Sequence, residues 1–350
     1  MNFTSPRWSS LTAVLALLVI PLTLTVVLTQ DQAAVADEER EELEEREREE
    51  RERDAESQER AELIEQLSLE VEELLEAGQL KGFRGVLYTP APGVTQKTEV
   101  YKTTGGIDLK MHLHFPQGWK ATDKRPVMIF FYGGGWKKGT TQQFIVQANH
   151  FAGRGIVTAR ADYRINTEKK GNVLPDKCVE DARSAVRWLR ANATKLGVDP
   201  GKVISAGGSA GGHLAYCTSI QQSVDDPRDD LSISPNPQAM VLYNPALFYA
   251  DSVNEHELLS KLPAEKLKAI APLEHVDKDT PPAYILFGTK DRLKAGADAY
   301  LEIAKKQGIP AEMFTAEGEG HGFFNSEPWM SKTIPVVDDF LVSLGYLNEQ

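Results

Sequence analysis

Hydrophobic and polar positions divide this 350-residue chain into three stretches. Residues 11–28 form an apolar run, residues 37–60 are almost wholly Glu and Arg, and from Gly82 onward apolar and amphipathic segments alternate. Residues 94–101 and 107–115 read as paired strands around a Gly105-Gly106 turn. Residues 126–132 are continuously apolar, the pattern of a strand covered on both faces, and 156–163 follows as another strand. Residues 176–196 place Cys178, Ala182, Ala185, Val186 and Leu189 on one helical face. Further strands are expected at 203–206, 239–244, 283–288 and 312–315, and helices at 210–220, 295–307 and 331–344. Strands alternating with helices imply an α/β fold with a mostly parallel sheet wrapped by helices. Residues 246–280 break the rhythm and are expected to form a small lid or rim.

The first two stretches carry no core. Arg7 precedes the apolar run and Ala34-Val35-Ala36 fits a small-residue cleavage site, so 1–36 reads as an export signal. The run is also close to the length of a membrane span, which leaves an uncleaved anchor as the other reading. Either way the expected location is outside the cytoplasm, secreted, periplasmic or tethered to a membrane. In 37–81, pairs such as Glu42/Arg46, Glu44/Arg48 and Glu56/Arg60 lie four apart with the acid first, which supports an exposed helix. Ile64, Leu67, Val71 and Leu74 then fall at heptad spacing. That segment is either a solvated helix docking on its neighbour or a stalk that binds a protein partner. The expected domains are therefore 1–36, 37–81 and a catalytic domain at 82–350.

Charge sharpens this division. The chain holds 39 basic and 51 acidic residues, a formal net of −12. Residues 37–81 alone carry 20 acids and 7 bases, so the remainder is nearly neutral. No basic face for nucleic acid is evident. Only Cys178 and Cys217 occur, too few for a disulfide scaffold or a cysteine metal site, though one bond between them is open.

Chemistry concentrates at Gly207-Gly208-Ser209-Ala210-Gly211-Gly212-His213. It contains G-x-S-x-G between an expected strand and an expected helix, the context of a nucleophile elbow. The positions two before and two after the serine must lack bulk there, and the helix start faces developing negative charge. A phosphate-cradling loop or a plain turn is the competing reading. Gly133-Gly134-Gly135, at the end of an earlier strand, frees backbone N–H groups to aim at a substrate oxygen. Gly134, Gly135 and Ala210 are the candidate oxyanion donors, and Trp136 and Phe323 the candidate pocket residues. A serine needs a base, and the base an orienting acid. Among seven histidines, His321 sits in a small-residue loop after the last strand. Asp291 ends the penultimate strand and completes the chain order Ser, Asp, His; an ion pair with Lys290 or Arg292 is its alternative.

From about residue 95 to 345 the chain resembles α/β-hydrolases of the esterase/lipase branch related to hormone-sensitive lipase. Residues 207–215 are similar to its acetyl- and feruloyl-esterase-like group. That resemblance implies an eight-stranded sheet, a triad of Ser209, Asp291 and His321, and no metal or cofactor. Two positions depart from the pattern: Tyr132 stands where a histidine is usual, and Gly208 where an aspartate often precedes the serine. The expected activity is hydrolysis of short acyl or aromatic esters, on small molecules or on carbohydrates. An amide or formamide hydrolase or a peptidase of the same fold is the first alternative, and a non-catalytic binding protein a remote one.

Overall fold

The computed structural model describes Glu45, Arg48 and residues 90–166, 173–253 and 256–349. The expected leader at 1–36 and all but two residues of 37–81 lie outside the described residues. The chain divides into two units, Met1–Glu73 and Leu74–Gln350. In the first, Glu45 and Arg48 are helical and exposed, with their side chains 3.4 Å apart.

The second unit is built on an eight-stranded sheet in the order β1-β2-β4-β3-β5-β6-β7-β8. The strands are β1 (Thr95–Thr104), β2 (Ile107–Phe115), β3 (Arg125–Phe131), β4 (Val157–Ala161), β5 (Val198–Gly208), β6 (Ala239–Tyr243), β7 (Ala283–Gly288) and β8 (Ala311–Ala316). β1, β2 and β4 pair antiparallel, and every pairing from β4 through β3 to β8 is parallel. β3 shows why a strand here is apolar throughout. Val127, Ile129 and Phe131 enter one core, while Met128 and Phe130 enter the other. Each such side chain contributes roughly 1.5–3 kcal/mol when fully buried.

Helices cover both faces. On the first lie α2 (Pro175–Ala191), α4 (Ala210–Cys217) and α6 (Lys294–Gln307), through Val179, Ala182, Leu214 and Tyr300. On the second lie α1 (Ile145–Gly153) and α7 (Trp329–Ser343), through Ala148, Phe151, Val337 and Leu341. The helix expected over 176–196 is two. α2 stops at Asn192, whose side chain bonds the Trp188 carbonyl, and α3 (Ala193–Leu196) ends on left-handed Gly197. α1 was not expected, because it buries Gln147 and Asn149 as well as Ala148 and Phe151 and so shows no apolar stripe. Among its described residues, the break at 246–280 holds three short 3₁₀ turns and α5 (Ala264–Ala269).

Candidate active site

Loops leaving the C-terminal ends of β3, β5, β6, β7 and β8, consecutive in the sheet, meet over one end of it. In parallel sheets this is where ligands gather. Between β5 and α4, Ser209 adopts φ 53° and ψ −117°, a strain of order 1–3 kcal/mol for a non-glycine residue. Its N–H donates to the Tyr243 carbonyl at 2.8 Å, which anchors the turn to β6. The glycines around it are demanded by space. A Cβ on Gly207 would lie 2.3 Å from the Gly211 carbonyl oxygen, and one on Gly211 would lie 2.0 Å from that of Phe131.

His321 Nε2 lies 2.8 Å from Ser209 Oγ, and its Nδ1 lies 2.7 Å from Asp291 Oδ2. The three residues singled out in the sequence are thus one hydrogen-bonded chain. Two bonds hold the histidine loop to the end of β7: Lys290 N–H to the Glu319 carbonyl and Gly318 N–H to Thr289 Oγ1, both 2.8 Å. The Asp291 carboxylate is fully covered, and it faces His321 rather than pairing with Lys290 or Arg292. It accepts bonds from Leu293 N–H at 2.9 Å and from Asn244 Nδ2 at 3.0 Å. Asn244, buried at the end of β6 with φ 43°, also accepts the Gly322 N–H at 3.2 Å. One amide therefore fixes the acid and the loop that carries the histidine. Nothing in the sequence marked it.

The glycine loop is fixed by a second amide. Gly133 N–H donates to Gln143 Oε1 at 2.6 Å, and Gln143 Nε2 donates to Asn325 Oδ1 at 3.0 Å. Asn325 in turn donates to the Gly322 carbonyl at 2.9 Å. Gly134 and Gly135 follow with φ 126° and 62°, a path open to glycine at little cost. A Cβ on Gly134 would also lie 2.1 Å from the Lys138 carbonyl. Tyr132, in the place of the usual histidine, stacks on Tyr163 with ring centres 4.3 Å apart, and burial pushes its hydroxyl pKa up. The side chain that holds this loop is Gln143.

Ser209, His321 and all three glycines line a cleft of about 1320 Å³. Phe324, Ile145 and Met330 supply its apolar wall, and His256 and Glu257 bring in the segment expected as a rim. The two aromatic pocket candidates lie elsewhere. Trp136 is buried, edge-on to His213 and His256, and is not among the lining residues. Phe323 faces a smaller hollow of about 360 Å³ on the other side of His321. Chain direction explains the exchange, since consecutive residues of a short 3₁₀ turn face different ways. His213 points away from Ser209; its Nε2 donates to the Ile270 carbonyl at 2.8 Å, and burial lowers its pKa to about 4. Cys178 and Cys217 are buried free thiols.

Residues 111–297 match the BD-FAE family. The chain belongs to that family. Among solved structures, this BD-FAE chain is similar to the apo form of Thermogutta terrifontis esterase 2. That likeness has a TM-score of 0.68 and 38% identity over 75% of this chain and 98% of that one. The same esterase has been solved with propionate and with butyrate bound. Carboxylesterase NlhH of Mycobacterium tuberculosis is 26% identical over 250 residues, 63% of this chain and 73% of its own length. Endo-1,4-beta-xylanase B of Butyrivibrio fibrisolvens is 31% identical over 212 residues, 57% of this chain and 32% of its own length. The BD-FAE sheet and its helices form the α/β-hydrolase fold of hormone-sensitive-lipase-like esterases.

Proposed function

We propose that this serine hydrolase of carboxylic ester bonds works through a triad of Ser209, His321 and Asp291, and that its substrates are short acyl or aromatic esters. The observation that carries the reading is the chain of two short hydrogen bonds from Ser209 Oγ through His321 to a fully covered Asp291 carboxylate. Ser209 attacks the ester carbonyl while His321 Nε2 takes its proton, and Asp291 holds the ring and stabilises the cation that forms. The oxyanion of the tetrahedral intermediate lies against the N–H groups of Gly134, Gly135 and Ala210. Gly133 is excluded from that role because its N–H already serves Gln143. His321 then protonates the departing alkoxide, which leaves as the alcohol. A water repeats the sequence on the acyl-serine and releases the carboxylic acid.

The preference for a short acyl group is supported by the relative solved with propionate and butyrate. A sugar on the alcohol side is supported by the likeness to a xylan-degrading enzyme and by the signal-like residues 1–36, which also imply export or a membrane tether. A fluorophosphonate that esterifies the nucleophile is the direct test. Labelling of the folded protein that disappears in Ser209→Ala is expected; equal labelling of both would overturn the assignment. A panel of acetyl, butyryl, octanoyl and feruloyl esters, with acetylated xylan included, then reads the substrate. Preference for the octanoyl ester would overturn the short-acyl proposal.

A further inference from the structure

The charges around the cleft do not follow the near-neutrality of the domain. Lys137, Lys138 and Arg292 line it, and Glu257 is the one carboxylate among its described lining residues. Glu257 is bonded to Lys137, so that pair is neutral. The side chains of Lys138 and Arg292 are exposed, with no hydrogen-bond or ion-pair partner among the described residues. His256, also on the wall, is held below its ordinary pKa by burial and then by the charges of Lys137 and Arg292. The Asp291 carboxylate is covered and engaged by His321 and Asn244.

The covered cations beside α2 are paired with carboxylates. On one flank of α2, Lys102, Arg164, Arg183 and Arg187 are each matched to one or two of Glu180, Asp181, Asp225, Asp226 and Asp229. Exposed lysines without a hydrogen-bond or ion-pair partner among the described residues also occur away from the cleft, as at Lys110, Lys124 and Lys202; Lys138 and Arg292 differ in lining the cleft that holds Ser209 and His321. A cleft lined by one sign of charge with low-dielectric walls focuses its field and raises the local concentration of the opposite ion. The planar Arg292 guanidinium is also suited to a carboxylate, which it can meet with two parallel bonds.

We infer that the cleft selects esters bearing a negative charge, a carboxylate above all, on the half of the molecule that reaches Lys138 and Arg292. The inference rests on the reading of Ser209 and His321 as the reacting groups, and it narrows the substrate to anionic esters. Neutral esters are still hydrolysed, because the carbonyl meets the same nucleophile and the same N–H donors.

The test is a ratio, in which any change common to both substrates cancels. Two pairs place the charge on either side of the ester: 4-acetoxybenzoate against phenyl acetate, and monomethyl adipate against methyl hexanoate. In at least one pair, the anionic-to-neutral ratio of kcat/KM is expected to fall about tenfold in the double variant Lys138→Gln/Arg292→Gln, and severalfold in wild type when salt is raised, because screening acts on exposed charges. Ratios unchanged by both treatments in both pairs would overturn the inference. A measurement without turnover separates this from the triad: benzoate should slow fluorophosphonate labelling of the wild type more than of the double variant. Equal slowing counts against the anion site, whereas labelling that survives in Ser209→Ala counts against the nucleophile.

Discussion

At the floor of the cleft, the carboxylate of Asp291 and the amides of Asn244, Gln143 and Asn325 meet partners at 2.6–3.2 Å. At its rim, Lys138 and Arg292 stand in water without a partner among the described residues. The difference follows from what burial does to a polar group. Covered and unpaired, it loses several kcal/mol of hydration; exposed, it loses almost nothing and projects its charge outward. On the proposed reading, satisfied bonds hold the reaction geometry and unpartnered charge selects the substrate.

The comparison breaks most sharply at the floor. Asp291→Asn should lower kcat by roughly 10³–10⁴, since the amide can hold the ring but not stabilise its cation. Steady-state kinetics on phenyl acetate measures this, and a loss below tenfold would remove Asp291 from the triad. Gln143→Ala should lower kcat by about 10- to 100-fold with little change in KM, because it frees the donors that act mainly in the transition state. Gln143→Glu keeps the acceptor for Gly133 and should recover part of that loss. Equal losses in both variants would mean that the link to Asn325, and not the bond from Gly133, is the one that matters.

Beneath the floor, packing and protonation set stability. Gly211→Ala drives a methyl into the Phe131 and Tyr132 carbonyls and should destabilise by about 3 kcal/mol or more, the range of severe overpacking. Chemical denaturation reads it directly; a midpoint equal to wild type would show that α4 can move off β3. His213, with its pKa lowered by burial to about 4, stays neutral in the fold while the unfolded chain takes up a proton below its ordinary value near 6.5. Stability should fall as pH drops from 6.5 to 4, by up to about 3 kcal/mol from this group, and its share should level off below that. Denaturation midpoints at pH 7 and 4.5 should differ less in His213→Gln than in wild type. At the rim the expected effects are smallest: raising salt should change kcat/KM for neutral esters by less than about twofold.

The hydrogen-bonded chain of Ser209, His321 and Asp291 was legible because each stands in a local setting that admits few alternatives: a glycine-flanked turn, a small-residue loop and a strand end. The mostly parallel sheet was legible from strand-like segments alternating with helical ones, whereas the order of its strands was not. Asn244, Gln143 and Asn325 were not. An amide has no motif of its own, and these three matter only because the sheet brings positions 78 and 182 apart in the chain into contact. β5 also begins earlier than its apolar pattern, at Val198, because the ladder resumes across an irregularity between Arg125 and Val127 that Pro200 and Gly201 disguised. The near-neutral total for the domain is silent on the cleft, which carries local charge that no total could reveal.

The bond between Gln143 and Asn325 bears on how the enzyme responds to warming. Parting that one amide pair uncouples the loop that receives the oxyanion from the loop that carries the base, while Gly133 keeps Gln143 and Gly322 keeps Asn244. Side-chain pairs part and re-form far faster than a catalytic cycle. A warmed sample should therefore act as one population of slower molecules whose activity returns on cooling.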